Sequence, residues 1–274
     1  MRRAVFLDVD GTYAHHGEVP AAHASAVRAA RAAGHAVLLC TGRPKSMLPA
    51  RILGAGFDGI VAAAGGYVEV DGEVLADRRF PAPLAERAVA ALRAHDVAFI
   101  LEAPDALYGP LGLDRRLAAL FGAHLHPQPG ERHGGPSDIL DGLTMSDDLA
   151  GASFGKITCF GSSVPVVTLR DEIGGPLGVL PSSIPGMGES AGEIYLEGVH
   201  KAVGMRIAAQ HVGVALADVI AFGDGLNDLE MIAEAGIGVA IEGADPRVLA
   251  VADRVAAGPE RAGLVSAFED LGLI

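Results

Sequence analysis

At both ends of the chain the apolar residues come in short unbroken runs rather than in alternation with polar ones. AVFLDVD, HAVLLCTGR with its polar turn and ADVIAFGDG with its acidic glycine turn have the pattern of strands buried on both faces of a parallel sheet. Between the first two runs lies AAHASAVRAARAAG, an alanine-rich stretch that reads as a helix closed by Gly34. Strand, helix and strand in that order predict a right-handed βαβ unit. KSMLPARILGAG is predicted as a further helix. FDGIVAAAGGYVEVDGEVLADRRF then reads as a strand followed by a hairpin turned at Asp71-Gly72.

The rhythm changes at Phe80-Pro81-Ala82-Pro83, where two prolines in three residues make a stiff connection. Beyond it, LAERAVAALRAHD and DRRLAALFGA have helical spacing and VAFILEA that of a strand. An irregular section rich in Pro, Gly and Asp runs from His126 to Ala150. GKITCFG, GVLPSS and GEIYLE are predicted strands and VPVVTLRDEIGG a helix, which suggests an α+β module with helices on one face of an antiparallel sheet. From Gly198 the βα order returns, with HKAVGMRIAAQHVG and LNDLEMIAEAG as helices around the strand ADVIAFGDG, then IGVAIEG as one more strand. The expected fold is therefore α/β, a doubly wound parallel sheet from residues 1–81 and 192–274, with an α+β domain inserted at 82–191.

Composition narrows the function classes. The 274 residues include 37 glycines and 16 prolines, enough punctuation for many short elements, and are long enough to bury a sizeable core. A net charge of -13 spread along the sequence argues against nucleic-acid and anionic-membrane surfaces. Cys40 and Cys159 sit far apart in apolar runs, the placement of packed free thiols in a reducing compartment. With no cleavage-site pattern and no long uncharged apolar segment, the expectation is a cytoplasmic protein. The close histidine pairs, His15-His16 and His124 with His126, bring no second pair of ligands and read as solvated.

The chemistry collects where predicted strands end, the place at which open parallel sheets bind ligands. Asp8 and Asp10 follow the first strand, Thr41-Gly42-Arg43 the second, and Asp224 with Asn227 and Asp228 the late one; Lys201 opens the helix before it. Several carboxylates at one rim repel and take up protons unless a cation lies among them. A hard ion with oxygen ligands resolves this, and Mg²⁺ fits better than zinc, for which the Cys/His set is missing. Carboxylates, Mg²⁺ and a lysine suit a phosphoryl group, with the Thr41 hydroxyl and glycine-turn amides free to bond its oxygens. Each residue also has a plainer reading as a turn, cap or surface ion-pair residue.

DVDGT, TGR, a lysine and GDGLND, in that order on successive strand ends, resemble the haloacid dehalogenase superfamily, and the large insertion resembles its Cof-type branch, subclass IIB. That resemblance implies a phosphatase with an aspartyl-phosphate intermediate. Asp8 would be the nucleophile, and Asp10 the acid that protonates the leaving oxygen and then the base that activates water. Asp8, the backbone carbonyl of Asp10 and Asp224 would hold Mg²⁺ with Asp228 behind them. Thr41 and Lys201 would bind the phosphoryl group, Gly11, Thr12 and Gly42 would line that site, and Arg43 and Asn227 would face substrate. The inserted domain would be a cap that selects the substrate, with Glu102, Tyr108, Asp114, Arg115, Arg116, Glu193 and Tyr195 as candidate lining and the loop 127–137 as a candidate closing segment.

Two positions depart from the family pattern: Ala64-Gly65-Gly66 replaces the frequent Asn-Gly-Ala, and Tyr13 follows DGT where an aliphatic residue is usual. The expected partner is a small phosphorylated metabolite, a sugar phosphate or phosphorylated cofactor, acted on by a monomer or homodimer. A phosphomutase or phosphotransferase sharing the intermediate, and a non-catalytic phosphate-binding regulator, are the rival readings.

Overall fold

A computed structural model describes residues 1–124, 136–149, 151–182 and 186–274. The chain forms two compact units, Met1–Asp77 with Val199–Ile274, and Arg78–Gly198. In chain order β1 (Ala4–Leu7), α1 (Ala21–Ala32), β2 (Ala36–Cys40), α2 (Ala50–Leu53), β3 (Gly59–Ala62), β4 (Tyr67–Val70) and β5 (Glu73–Asp77) begin the first unit. The second holds α3 (Ala82–Ala94), β6 (Ala98–Glu102), β7 (Leu107–Gly109), α4 (Leu113–His124), α5 (Pro136–Gly142), β8 (Leu143–Met145), β9 (Lys156–Gly161), α6 (Val166–Ile173), β10 (Leu177–Pro181) and β11 (Gly192–Leu196). Then α7 (Lys201–His211), β12 (Val219–Gly223), α8 (Leu229–Glu234), β13 (Ile237–Ile241), α9 (Pro246–Val251), β14 (Arg254–Ala256) and α10 (Gly263–Asp270) complete the first.

The first unit's sheet runs β14-β13-β12-β1-β2-β3-β4-β5. It is parallel from β14 to β3, with the hairpin β4–β5 antiparallel at the edge. Alternation sends Val5 and Leu7 to one face, against Val27 and Ala30 of α1 and Leu264 and Phe268 of α10. Ala4 and Phe6 go to the other, against Ala202 and Met205 of α7 and Met231 of α8. Both faces are covered, which is why these strands read as continuous apolar runs. Because β1 is central, with β2 on one side and β12 on the other, the chain departs in opposite directions beside its end, the switch point of the topology.

The second unit's sheet runs β10-β11-β9-β6-β7-β8 and is antiparallel except between β7 and β8, a departure from the all-antiparallel expectation. Phe99, Leu101, Ile157, Cys159 and Ile194 pack with Leu84, Ala88 and Leu92 of α3 and Leu169 of α6. Alternation turns Glu102, Lys156, Thr158 and Glu193 to the opposite face. There the Lys156 ammonium lies 3.1 Å from a carboxylate oxygen of each glutamate, and the Thr158 hydroxyl donates to Glu102 at 2.5 Å.

Several local expectations change. KSMLPARILGAG is not one helix: Pro49 divides it into a single 3₁₀ turn, Lys45–Met47, and the four-residue α2. Within the section expected to be irregular, 136–145 form α5 and β8, while 126–135 and Ala150 lie outside the described residues, as does most of the candidate closing loop. LNDLEMIAEAG opens as a 3₁₀ turn, Leu226–Asp228, before α8. The units meet at 77/78 and 198/199 rather than 81 and 192, because β11 pairs with β9 and β10 in the second sheet. Among the described residues no helix is long and apolar enough to cross a membrane, and Cys40 and Cys159 are free and buried.

One pair at the far end of the sheet ties helix to strand. Arg31 of α1 donates to both oxygens of Asp58, which also accepts from the Val37 N–H at 2.8 Å. Burial pushes the Asp58 carboxyl up, but Arg31 and the Val37 amide outweigh it and hold the group below its ordinary pKa. Asp58→Ala is therefore expected to cost about 1–3 kcal/mol in urea unfolding at pH 7. The carboxyl's contribution is present above the ordinary carboxylate pKa and lost as pH falls through the lowered folded value, so the gap between wild type and variant should narrow towards pH 3.

Candidate active site

The turn after β1 is built by the backbone. The Tyr13 N–H donates to the Asp8 carbonyl at 3.1 Å and the Ala14 N–H to the Val9 carbonyl at 2.8 Å, two successive bonds spanning five residues, while the Gly11 N–H returns to Ala14 at 3.0 Å. Gly11 takes φ 83°, and a Cβ there would lie 2.5 Å from the Asp224 carboxylate, so only glycine lets the first turn reach the late strand's acid.

Four charges from three elements meet beside this turn. The Lys201 ammonium, fully buried at the first position of α7, donates to Asp8 Oδ1 at 2.6 Å and to Asp228 Oδ1 at 2.5 Å. Asp228 Oδ2 accepts from the backbone N–H groups of Asp224 and Gly225 at 3.1 and 2.9 Å, so both its oxygens are engaged. That arrangement needs Gly223, where a Cβ would lie 2.4 Å from the Asp228 carboxyl carbon. The Thr12 hydroxyl donates to Asp224 Oδ1 at 3.0 Å. Oxygens of Asp8, Asp224 and Asp228 lie within 4.8 Å of one another.

Three carboxylates and one ammonium leave net negative charge in a nearly closed space. At an effective dielectric of about 20, two like charges at this separation repel by about 3 kcal/mol or more. Burial, reinforced by Asp228, pushes the Asp8 carboxyl well above its ordinary range against the pull of Lys201. Burial and then Asp228 push Asp224 up to about 6, against the Thr12 hydrogen bond. Burial alone would lower Lys201, but Asp228 and Asp8 outweigh it and keep the ammonium charged. Uncompensated charge among oxygen-only donors fits a hard divalent cation. Asp8, Asp224 and Asp228 are the residues that could hold one, and of these Asp228 already accepts three hydrogen bonds.

The remaining sequence-predicted residues divide. Thr41 is buried and its hydroxyl oxygen accepts from the Arg43 N–H at 3.1 Å, which leaves its proton to donate. The Asn227 amide lies against Gly42, 3.2 Å from where a Cβ would stand. Arg43, expected to face substrate, grips both oxygens of Asp10 at 2.6 and 2.7 Å. In the second unit, Glu102 and Glu193 are tied up with Lys156, the Tyr108 hydroxyl donates to Asp105 at 2.7 Å, and Arg116 pairs with Asp96 at 2.9 Å. Asp114 and Arg115 lie in the first turn of α4.

Sequence reasoning passed over His23. Fully buried in α1, it binds the Tyr13 carbonyl at 3.0 Å through Nδ1 and the Leu264 N–H at 3.3 Å through Nε2, and its ring stacks on Tyr13. Accepting from Leu264 requires a neutral ring, and burial lowers its pKa accordingly. The signal available was an isolated histidine on the apolar face of an alanine-rich helix.

The profile of the haloacid dehalogenase-like hydrolases matches residues 5–268. YkrA of Bacillus subtilis (strain 168), a candidate phosphatase, is 26% identical over 99% of this chain and 98% of its own. The 5-amino-6-(5-phospho-D-ribitylamino)uracil phosphatase YbjI of Escherichia coli (strain K12) is 35% identical over 30% of each chain. Among solved structures, the phosphatase BT1666 from Bacteroides thetaiotaomicron superposes with a TM-score of 0.78 at 23% identity, covering 100% of this chain and 96% of that one. The subclass IIB sugar phosphatase BT4131 superposes with a TM-score of 0.77 at 22% identity over 99% and 100%. At those identities the structures share the fold.

Removing the central cation has a large expected effect. Lys201→Met strands two buried carboxylates and should cost about 3–5 kcal/mol in urea unfolding in metal-free buffer, measured by circular dichroism.

Proposed function

The chain belongs to the haloacid dehalogenase-like hydrolases, and from that premise we propose that it is a Mg²⁺-dependent phosphatase cleaving a small phosphate monoester through an aspartyl-phosphate on Asp8. The observation that carries the reading is the Lys201 ammonium set between Asp8 and Asp228 beside Asp224. Such a site screens a nucleophilic carboxylate from an anionic substrate.

With Asp8 Oδ1 held by Lys201, the other oxygen attacks phosphorus. The bond from phosphorus to the ester oxygen breaks, and that oxygen takes the proton of Asp10. Water then attacks the phosphorus, giving its proton to Asp10 as the bond to Asp8 breaks and inorganic phosphate leaves. Asp8, Asp224 and the Asp10 carbonyl would hold Mg²⁺, which supplies charge neutralisation to the carboxylates and the phosphoryl oxygens. Thr41 and Lys201 donate to those oxygens, and Asn227 and Gly42 border the same turn.

We assign selection of the leaving group to the second unit, and sugar phosphates or phosphorylated cofactor precursors as the substrate class. The names of BT4131 and YbjI, a sugar phosphatase and a phosphoribitylaminouracil phosphatase, support that class. The buried free thiols and acidic charge support a cytoplasmic setting.

A panel of such esters, assayed for phosphate release with Mg²⁺ and no added acceptor, should yield at least one turned over, with the rate abolished by EDTA and restored by Mg²⁺. Asp8→Asn should lose at least about 1000-fold in kcat while keeping the wild-type circular dichroism spectrum. Phosphate binding without release from any ester would replace this reading with a regulatory one.

A further inference from the structure

Arg43 and Asp10 are unequally buried. The arginine side chain is 9% exposed and the aspartate side chain 55%, yet the guanidinium meets both carboxylate oxygens, Nε to Oδ2 at 2.7 Å and Nη2 to Oδ1 at 2.6 Å. Arg43 is itself anchored: its Nη1 reaches the Met47 carbonyl at 3.4 Å, and its backbone N–H donates to Thr41 Oγ1 at 3.1 Å. An exposed aspartate samples several rotamers, whereas one held by a fixed two-toothed fork is confined to one.

We propose that Arg43 is a positioning residue for the reaction, holding the Asp10 carboxyl where it serves the leaving oxygen, rather than a ligand for the substrate phosphate. This rests on the proposed role of Asp10 as proton donor. The step itself is unchanged: the Asp8 oxygen bonds to phosphorus, the phosphorus–oxygen ester bond breaks with its electron pair staying on the leaving oxygen, and the Asp10 proton moves to that oxygen. A lysine, a point charge with no planar fork, could attract Asp10 without fixing its orientation.

The test compares two esters by kcat/KM, which reports the half-reaction up to departure of the leaving group. p-Nitrophenyl phosphate expels a group that needs no proton; an alkyl phosphate expels one that does. Asp10→Ala should penalise the alkyl ester far more than the aryl ester, and Arg43→Ala should do so by a further factor of about ten over its effect on the aryl ester. Arg43→Lys should recover little of that factor. Arg43→Gln, which keeps most of the bulk, serves if the alanine variant fails to fold, as judged by its thermal melt. Equal losses on both esters in the Arg43 variants, or a loss confined to KM, would make Arg43 a substrate-binding group and overturn the proposal. Indiscriminate loss in Asp10→Ala would remove the proton-donor role first, and the positioning role with it.

Discussion

A single buried ammonium holds the rim of the first unit's sheet together. Lys201 reaches Asp8 at the end of β1 and Asp228 in the turn after β12, joining groups that lie 193 and 27 positions away in sequence. A charge taken this far out of water is tolerable only with partners in good geometry, and here the partners are two carboxylates that repel one another. Each of the three is costly to bury without the others. The constraint reaches further, since Asp228 spends its second oxygen on the amides of Asp224 and Gly225, and Asp224 is bonded by Thr12 from the turn after β1. Glycines at 11 and 223 follow from it, because a side chain at either would enter the space the carboxylates need.

Much of this was legible in the sequence because it rests on short-range regularities. Apolar runs that end in DVDG, TGR and GDG marked strands buried on both faces and pointed their acids to one edge, and the two prolines near Phe80 fell close to the start of the second unit. What the sequence left open depends on partners chosen across the fold. Arg43 follows TG as a surface residue would, and nothing local says that its guanidinium closes on Asp10 thirty-three residues earlier. His23 reads as one polar interruption of an alanine face, although it bridges α10 and the turn after β1. The helix expected across Pro49 failed for a local reason, the missing N–H, that the apolar spacing around it concealed. The last three elements, α9, β14 and α10, are short or follow weak signals, and it is burial of Val248, Ala256, Leu264 and Phe268 against the sheet that secures them.

The second unit shows the same contrast between pattern and partner. Its apolar alternation placed Phe99, Leu101, Ile157 and Ile194 on one face without ambiguity. The face behind them carries a lysine and two glutamates, a set that spacing alone reads as solvated, yet Lys156 is almost wholly buried between its two acids. Charge in this protein is used inward at both places, where a buried lysine lies between two acids.

The central strand of the first unit's sheet, β1, is made long before one of its two neighbours, β12, which begins at Val219. During synthesis β1 therefore waits with one edge unpaired while the whole of Arg78–Gly198, a unit with its own core, is made and is free to fold. Lys201 emerges shortly before β12, so the ion triad and the sheet close in the same late event. Such long-range closure predicts slow, high-contact-order folding for the first unit, and it also means that the acidic cluster around Lys201 assembles only after Arg78–Gly198 has been made.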